Sequence, residues 1–200
     1  MKQGAKHKLC RRIGECVWGN PKCPSARRPY PAGSNARTRR RKLSTYGELL
    51  QEKQKLKAHY AMNEQQLRFA YKKAKQGSEE SSTPEKFLRS LELRLASVVW
   101  RSGLAPSIFA AKQAVNHRHV YVDGEIVDRN NYHVKPGQVV SVNPEKSPSI
   151  ATIAQNTDVN PPPYLEVDTS ECKAKVARLP LLEEIPANVE IISVVEFYAR

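Results

Sequence analysis

Residues 83–143 read TPEKFLRSLELRLASVVWRSGLAPSIFAAKQAVNHRHVYVDGEIVDRNNYHVKPGQVVSVN, and the hydrophobic period changes once along them. Thr83 followed by Pro84 is a capping residue with proline at the first helical position. Phe87, Leu88, Leu91, Leu95, Val98 and Val99 then recur at spacings of three and four, which predicts a helix closed by Gly103. Ser107 caps a second helix to about Asn116, with Ala111, Ala114 and Val115 turned inward. There the period becomes two. Val120 and Val122 flank Tyr121, Asp123-Gly124 makes a tight hairpin, and Ile126-Val127 returns. Pro136-Gly137 occupies the centre of a type II turn, and Val139, Val140 and Val142 form the next strand. Two helices followed by a small sheet make this an α+β chain.

Working outward, residues 44–82 read as helical. Thr45 with Glu48 fits a capping box, and Leu49, Leu50, Leu56 and Tyr60 give a patchy face. Asn63 with Gln66 opens another helix, whose stripe is Leu67, Ala70, Tyr71 and Ala74 and which ends near Gly77. Residues 76–82 form a polar linker. Residues 1–43 form an irregular basic arm, since Pro, Gly, Ser and Asn crowd positions 20–35. On the other side, an apolar segment at 150–154 precedes the linker Asn160-Pro161-Pro162-Pro163. Residues 164–167 and 173–178 read as two strands, and the β-branched and aromatic run 191–198 predicts strand in its second half. The organisation is arm 1–43, helical segment 44–82, a helix–helix–hairpin module 83–150 and a C-terminal segment 151–200 completing the fold.

Charge is segregated along this organisation. Residues 1–75 hold 20 of the 33 Lys and Arg and 4 of the 20 Asp and Glu, a net +16; the remaining residues hold 13 and 16, a net −3. A positive lobe of that density predicts a polyanionic partner, because neutralised phosphates release condensed counterions. Its bases are interleaved with Cys, Trp, Tyr and Pro, unlike a solubilising tail. No stretch approaches the ~18 apolar residues that span a bilayer, and no apolar segment follows the basic N-terminus as a secretory signal requires. The thiols are expected in a reducing cytoplasm, where cysteines more often ligate metal than pair. No Gly-rich phosphate loop, nucleophile elbow or His-x-Glu beside the cysteines occurs, so the reading is non-enzymatic.

Three of the four cysteines fall in the arm. His7, Cys10, Cys16 and Cys23 offer four ligands able to close a tetrahedron, a structural zinc site with no open position. An iron–sulfur cluster suits the set less, since clusters usually take four thiolates. The alternative is three unrelated reduced thiols and one histidine. A proline-rich basic segment cannot build its own core, so a metal would supply folding energy that packing does not. Cys172 lies far off.

Guanidinium forks come in batches: Arg11 and Arg12, Arg27 and Arg28, then Arg37, Arg39, Arg40, Arg41 and Lys42. Arg binds phosphate bidentately and stacks on splayed bases. Trp18 and Tyr30 among them either stack on bases or pack the arm. Lys53 and Lys57 are one turn apart on the first helix, with Lys55 pointing elsewhere; they serve as phosphate ligands or as a solvated face. His117, Arg118 and His119 lie between helix and strand. Tyr46, Lys53, Lys55, Arg94, Arg101 and Lys112 complete the candidate RNA-binding set.

Several motifs match one family in order and spacing. They are Arg27-Arg28-Pro29-Tyr30-Pro31, Tyr46-Gly47 with Gln51-Glu52-Lys53-Gln54-Lys55-Leu56, and Leu91-Glu92-Leu93-Arg94-Leu95 through Val99-Trp100-Arg101. Tyr132-His133-Val134-Lys135-Pro136-Gly137 and Val195-Glu196-Phe197-Tyr198-Ala199-Arg200 follow. Through them the chain resembles the bacterial-type family of small-subunit ribosomal protein four (uS4), almost end to end. The resemblance implies a protein that binds small-subunit rRNA early in assembly, organises the subunit body, neighbours small-subunit protein five and influences decoding accuracy. It also implies a cytoplasmic ribosomal location, with messenger RNA as a further partner in autoregulation. Some members hold zinc with four cysteines; Cys10, Cys16 and Cys23 are counterparts of three, and His7 stands where the first would be. Two departures stand out. Ser107-Ile108-Phe109 replaces Ser-Arg-Arg, so Ile108 and Phe109 face a protein or cover a base. Arg118 stands where a glycine is usual, so either the turn changes or Arg118 takes a strained φ.

Overall fold

The computed structural model describes residues 7–20, 22–28, 30–33, 42–76, 81–156 and 160–199. Arg37, Arg39, Arg40 and Arg41, and the helix end at Gly77, lie outside the described residues. The chain divides into two compact units, Met1–Glu64 with Ala187–Arg200, and Gln65–Pro186. The boundaries at 43, 82 and 150 do not coincide with these units: the C-terminal segment is shared between them. No described helix is long and apolar enough to cross a membrane.

The first unit contains α1 (His7–Ile13), α2 (Thr45–His59) and α8 (Ile191–Ala199). The arm is thus not wholly irregular. Its helix α1 buries Cys10, which packs with Val17 and Cys23. Ser44, one residue before the expected cap, accepts the Gly47 N–H at 3.2 Å to start α2. Hydrogen bonds tie the arm to α2: Trp18 Nε1 donates to the Ala58 carbonyl at 3.1 Å, and His59 Nδ1 donates to that of Val17 at 2.9 Å. Residues 191–198 were expected to be strand in part and are helix. Ile191 and Val194, three residues apart, are buried as α8 packs along α2, and that burial outweighs the β-propensity of Ile, Val, Phe and Tyr.

Helix α3 (Glu64–Gln76) belongs to the second unit beyond its first residue; it buries Leu67, Tyr71 and Ala74 and sets Tyr71 edge-on to Phe87 at 5.9 Å. The long helix expected from Thr83 is two helices, α4 (Thr83–Glu92) and α5 (Leu95–Arg101). They part because backbone at the junction pairs elsewhere: Leu95 N–H donates to the Tyr132 carbonyl, and Val134 N–H to that of Leu93, both at 2.8 Å. Ser82 rather than Thr83 caps α4, in a capping box with Glu85. Ser107 caps α6 (Ile108–Asn116) as expected, accepting from the Ala110 N–H at 3.2 Å. Ile108 is fully buried, which rules out a partner-facing role; Phe109 is half-buried.

The strands β1 (Val120–Val122), β2 (Glu125–Ile126), β3 (Val139–Val142), β4 (Leu165–Asp168) and β5 (Lys173–Val176) form one antiparallel sheet in the order β2-β1-β3-β5-β4. Register follows side-chain alternation: Val120 opposes Val142, Val122 opposes Val140, and Val140 opposes Ala174, all on the buried face. Asp123 and Gly124 both take positive φ in the hairpin, and the Asp123 carboxylate accepts the Val139 N–H at 2.9 Å. The apolar segment at 150–154 lies in α7 (Pro148–Asn156).

A buried ion pair sits inside this unit. Arg101 donates to Glu92 through Nη2 at 2.7 Å and Nε at 3.1 Å, with its guanidinium over the Trp100 ring. The Tyr164 hydroxyl, beside β4, donates to the same carboxylate at 3.3 Å. Burial, then the charge of Glu92, pushes the Tyr164 hydroxyl far up, so it remains a donor.

Arg118 ends α6 in the left-handed region, at φ 63°. His119 N–H donates to Ala114 and Arg118 N–H to Val115, both at 3.0 Å, the pairing that favours glycine at this position. Arg118 keeps the turn and accepts the strain, and it makes an exposed 3.3 Å ion pair to Asp128. Both Arg118→Ala and Arg118→Gly lose that pair, but only glycine relieves the φ. Arg118→Gly is expected to be more stable than Arg118→Ala by about 1 kcal/mol in urea denaturation; equal midpoints would contradict the strain.

Candidate nucleic-acid interface and metal centre

In the first unit three of the four residues expected to hold metal converge. The candidate ligand atoms of His7, Cys10 and Cys23 all lie within 4.8 Å of one another, and His7 Nδ1 meets Cys23 Sγ at 3.2 Å. Cys16 stands outside that trio but packs on the same cluster, its Sγ accepting the Asn20 N–H at 3.3 Å. Burial first, then the neighbouring cysteines, pushes the Cys10 thiol up to about 11. Burial also acts to raise Cys23, but hydrogen bonds outweigh it and hold that thiol below its ordinary value. The Ser25 hydroxyl leads them, at 3.1 Å from Sγ. The donor set and its spacing suit a tetrahedral ion.

Beside the trio opens a cavity of about 870 Å³. Lys8 and Arg11 of α1 face it from one side, and Lys22, Arg27 and Arg28 from the loop; His7 and Cys23 line it too. Lys8, Lys22, Arg27 and Arg28 are exposed, and among the described residues no acid lies in ion-pair distance of them. Arg11 has a second duty. Its Nε and Nη2 donate to the Tyr30 and Pro31 carbonyls at 3.1 and 3.3 Å, and its guanidinium lies 5.1 Å from the Tyr30 ring centre. Lys8 and Lys22 escaped the sequence reading; their signal was adjacency to His7 and Cys23.

Other expected contacts are used internally. Lys53 is buried, bonded to Glu64 at 2.9 Å and lying over the Phe197 ring; Lys55 is buried against Glu15, with Glu52 at 3.9 Å. Desolvating an ammonium requires such partners, and both lysines have them. Trp18 packs edge-on to His7, so it orders the arm. Tyr46 is exposed beside Phe197, and Arg12 and Lys42 are exposed.

In the second unit Arg101 is likewise withdrawn into its pair with Glu92. Arg94 is buried, donating twice to Asn131 Oδ1 at 3.1 and 2.8 Å. Lys112 is half-buried, and burial, then the charge of Arg94, lowers its ammonium value. His133 pairs backbone with Arg94; desolvation, then Lys73 and Arg94, lowers its imidazole value. Sequence reading assigned His133 no role, although it stood inside a quoted motif. His117 and Arg118 are exposed, whereas His119 bonds Ser147 Oγ at 2.6 Å.

Glu64 holds part of the first unit together. Burial acts to raise its carboxyl, but hydrogen bonds from Lys53, Lys57 and Tyr198 outweigh it and hold it below 4.5. A depressed folded value means that its contribution is full above about pH 4.5 and is lost as pH falls through the folded value. Glu64→Gln is expected to lower the urea midpoint at pH 7 and to match the parent at the acid end. A difference that persists unchanged to low pH would contradict the charge assignment.

Residues 1–92 match the ribosomal protein S4/S9 N-terminal domain, and residues 93–140 match the S4 domain. A protein named small ribosomal subunit protein uS4 from Chelativorans sp. (strain BNC1) is 40% identical over 205 residues, covering 100% of this chain and 98% of the relative. Its namesake from Bifidobacterium animalis subsp. lactis (strain AD011) is 43% identical over 199 residues and 96% of each chain. Identity of that extent, carried across both units, makes this chain a member of the small ribosomal subunit protein uS4 family.

Proposed function

We propose that this chain is a non-enzymatic constituent of the small ribosomal subunit in the cytoplasm, binding its rRNA by positioning rather than by chemistry. The observation that carries the reading is the cavity ringed by Lys8, Arg11, Lys22, Arg27 and Arg28 in a chain of the uS4 family. Phosphate contacts of this kind fix register and orientation on folded RNA. The exposed His117 and Arg118 offer a second contact surface. An early role in assembling the subunit body, contact with small-subunit protein five and an influence on decoding accuracy belong to the same proposal, supported by the family resemblance. Crosslinking in native lysate after gradient separation tests it: contacts should cluster on one rRNA junction in small-subunit fractions. Contacts confined to messenger RNA in light fractions would replace the structural role with a regulatory one.

The salt dependence gives a quantitative check. Each phosphate contact contributes roughly 0.7–0.9 to the slope of log affinity against log salt. Neutralising Arg27 and Arg28 together should flatten that slope by about 1.4–1.8. An unchanged slope would remove them from the interface.

The same reading includes a structural zinc ion on His7, Cys10, Cys16 and Cys23. The ion would supply a tetrahedral crosslink to a segment whose apolar core is Cys10, Val17 and Cys23. His7 among the donors makes an iron–sulfur cluster the poorer occupant. Protein purified without chelator is expected to carry about one zinc per chain by mass spectrometry of the metal, as four closed ligands imply. Cys10→Ser and Cys23→Ser should lose it, and Cys172→Ser should keep it; equal metal in all three would sink the assignment.

A further inference from the structure

The cavity beside the trio has two walls drawn from separate parts of the chain. Lys8 and Arg11 stand on α1, and Lys22, Arg27 and Arg28 on the loop beyond it. His7 and Cys23, one on each wall, line the cavity and meet at 3.2 Å. The side chains suited to a metal are therefore also the seam between the walls. Two facts make that seam decisive. Helix α1 has seven residues, fewer than the roughly 12–15 that an isolated helix needs in water. Its apolar support is the small cluster around Cys10, Val17 and Cys23, while five like charges press the walls apart.

We infer that this cavity grips consecutive phosphates of a single RNA strand when its walls are tied through His7, Cys10 and Cys23, so that metal loading and RNA binding strengthen each other. The inference rests on the zinc and RNA readings above and adds the coupling between them. A volume of about 870 Å³ takes a short run of backbone and not a turn of duplex. Two effects of opposite sign compete. Three thiolates around a divalent ion add one negative charge, which opposes an anion. Against it, tying the walls orders both segments beforehand, and that ordering cost would otherwise fall on RNA binding. The added charge is a single unit beside five cations and is screened by salt, whereas ordering involves every residue of both walls. Ordering wins. Linkage then requires RNA to raise metal affinity by the same factor.

The test uses the full chain, metal-free and loaded with Zn²⁺, in filter binding to a small-subunit rRNA transcript. Zn²⁺ affinity is measured alongside, with and without that RNA, against a chromophoric chelator. Loading is expected to tighten RNA binding tenfold or more, and RNA to tighten Zn²⁺ binding equally. The combined variant Lys22→Ala, Arg27→Ala, Arg28→Ala changes exposed residues only; it should keep its zinc and lose most of the metal-dependent gain. Stoichiometric zinc with RNA affinity unchanged on loading overturns the coupling and leaves the RNA reading standing. Absence of rRNA binding in both states overturns that reading itself, and absence of zinc uptake overturns the metal reading; either removes the coupling with it.

Discussion

Like-charge repulsion is the constraint that the first unit is built around. Exposed cations several ångströms apart repel by a few tenths to about 1 kcal/mol per pair in water, and four such cations surround one cavity with the half-buried Arg11. The apolar burial opposing them is small, with Cys10, Val17 and Cys23 at its centre. What gives the arm its path is polar and specific: the meeting of His7 with Cys23, Ser25 on the same sulfur, and Arg11 on two carbonyls. Trp18 and His59 then moor that path to α2. The arm is thereby held through soft donors and single hydrogen bonds.

The second unit solves the opposite problem, because it has a core and must bury charge inside it. Glu92 is fully buried, and three donor groups from Arg101 and Tyr164 reach it. Removing one partner of such a pair typically costs 3–5 kcal/mol, since the other is left uncompensated. Tyr164 lies beyond the Asn-Pro-Pro-Pro linker in sequence yet bonds to α4. That contact, with the pairing of β5 on β3, makes the C-terminal strands part of the module's own fold.

Local signals in the sequence were read well where one short-range rule sufficed. Ser107 as a cap, Asp123-Gly124 as a hairpin and the valines of β3 all depend on neighbours within a few residues. Failures came where a distant partner decided. The break between α4 and α5 is made by residues 132–134, and helix α8 exists because α2 offers it an apolar face. The metal-suited cluster was legible because ligand chemistry limits which residue types can converge; the inclusion of Ser25 as a thiol donor was not. Binding residues were harder, because a basic side chain reads the same whether it faces solvent or a partner within the fold. Arg94, Arg101, Lys53 and Lys55 each turn inward to a partner that lies 3 to 40 residues away along the chain.

That inward turning sharpens the electrostatics. Only four acids occur in the first 75 residues, Glu15, Glu48, Glu52 and Glu64. Three of them sit against Lys53, Lys55 and Lys57 on α2. Helix α2 is therefore close to neutral where it packs, and most of the segment's positive charge lies in the arm, where residues 1–43 hold 13 Lys and Arg against Glu15 alone. A field concentrated around a concave, partly apolar surface steers anions better than the same charge spread evenly over a sphere. The acids of this segment thus serve binding indirectly: by neutralising the lysines that the fold must bury, they leave Lys8, Lys22, Arg27 and Arg28 as the cations a polyanion meets at the cavity.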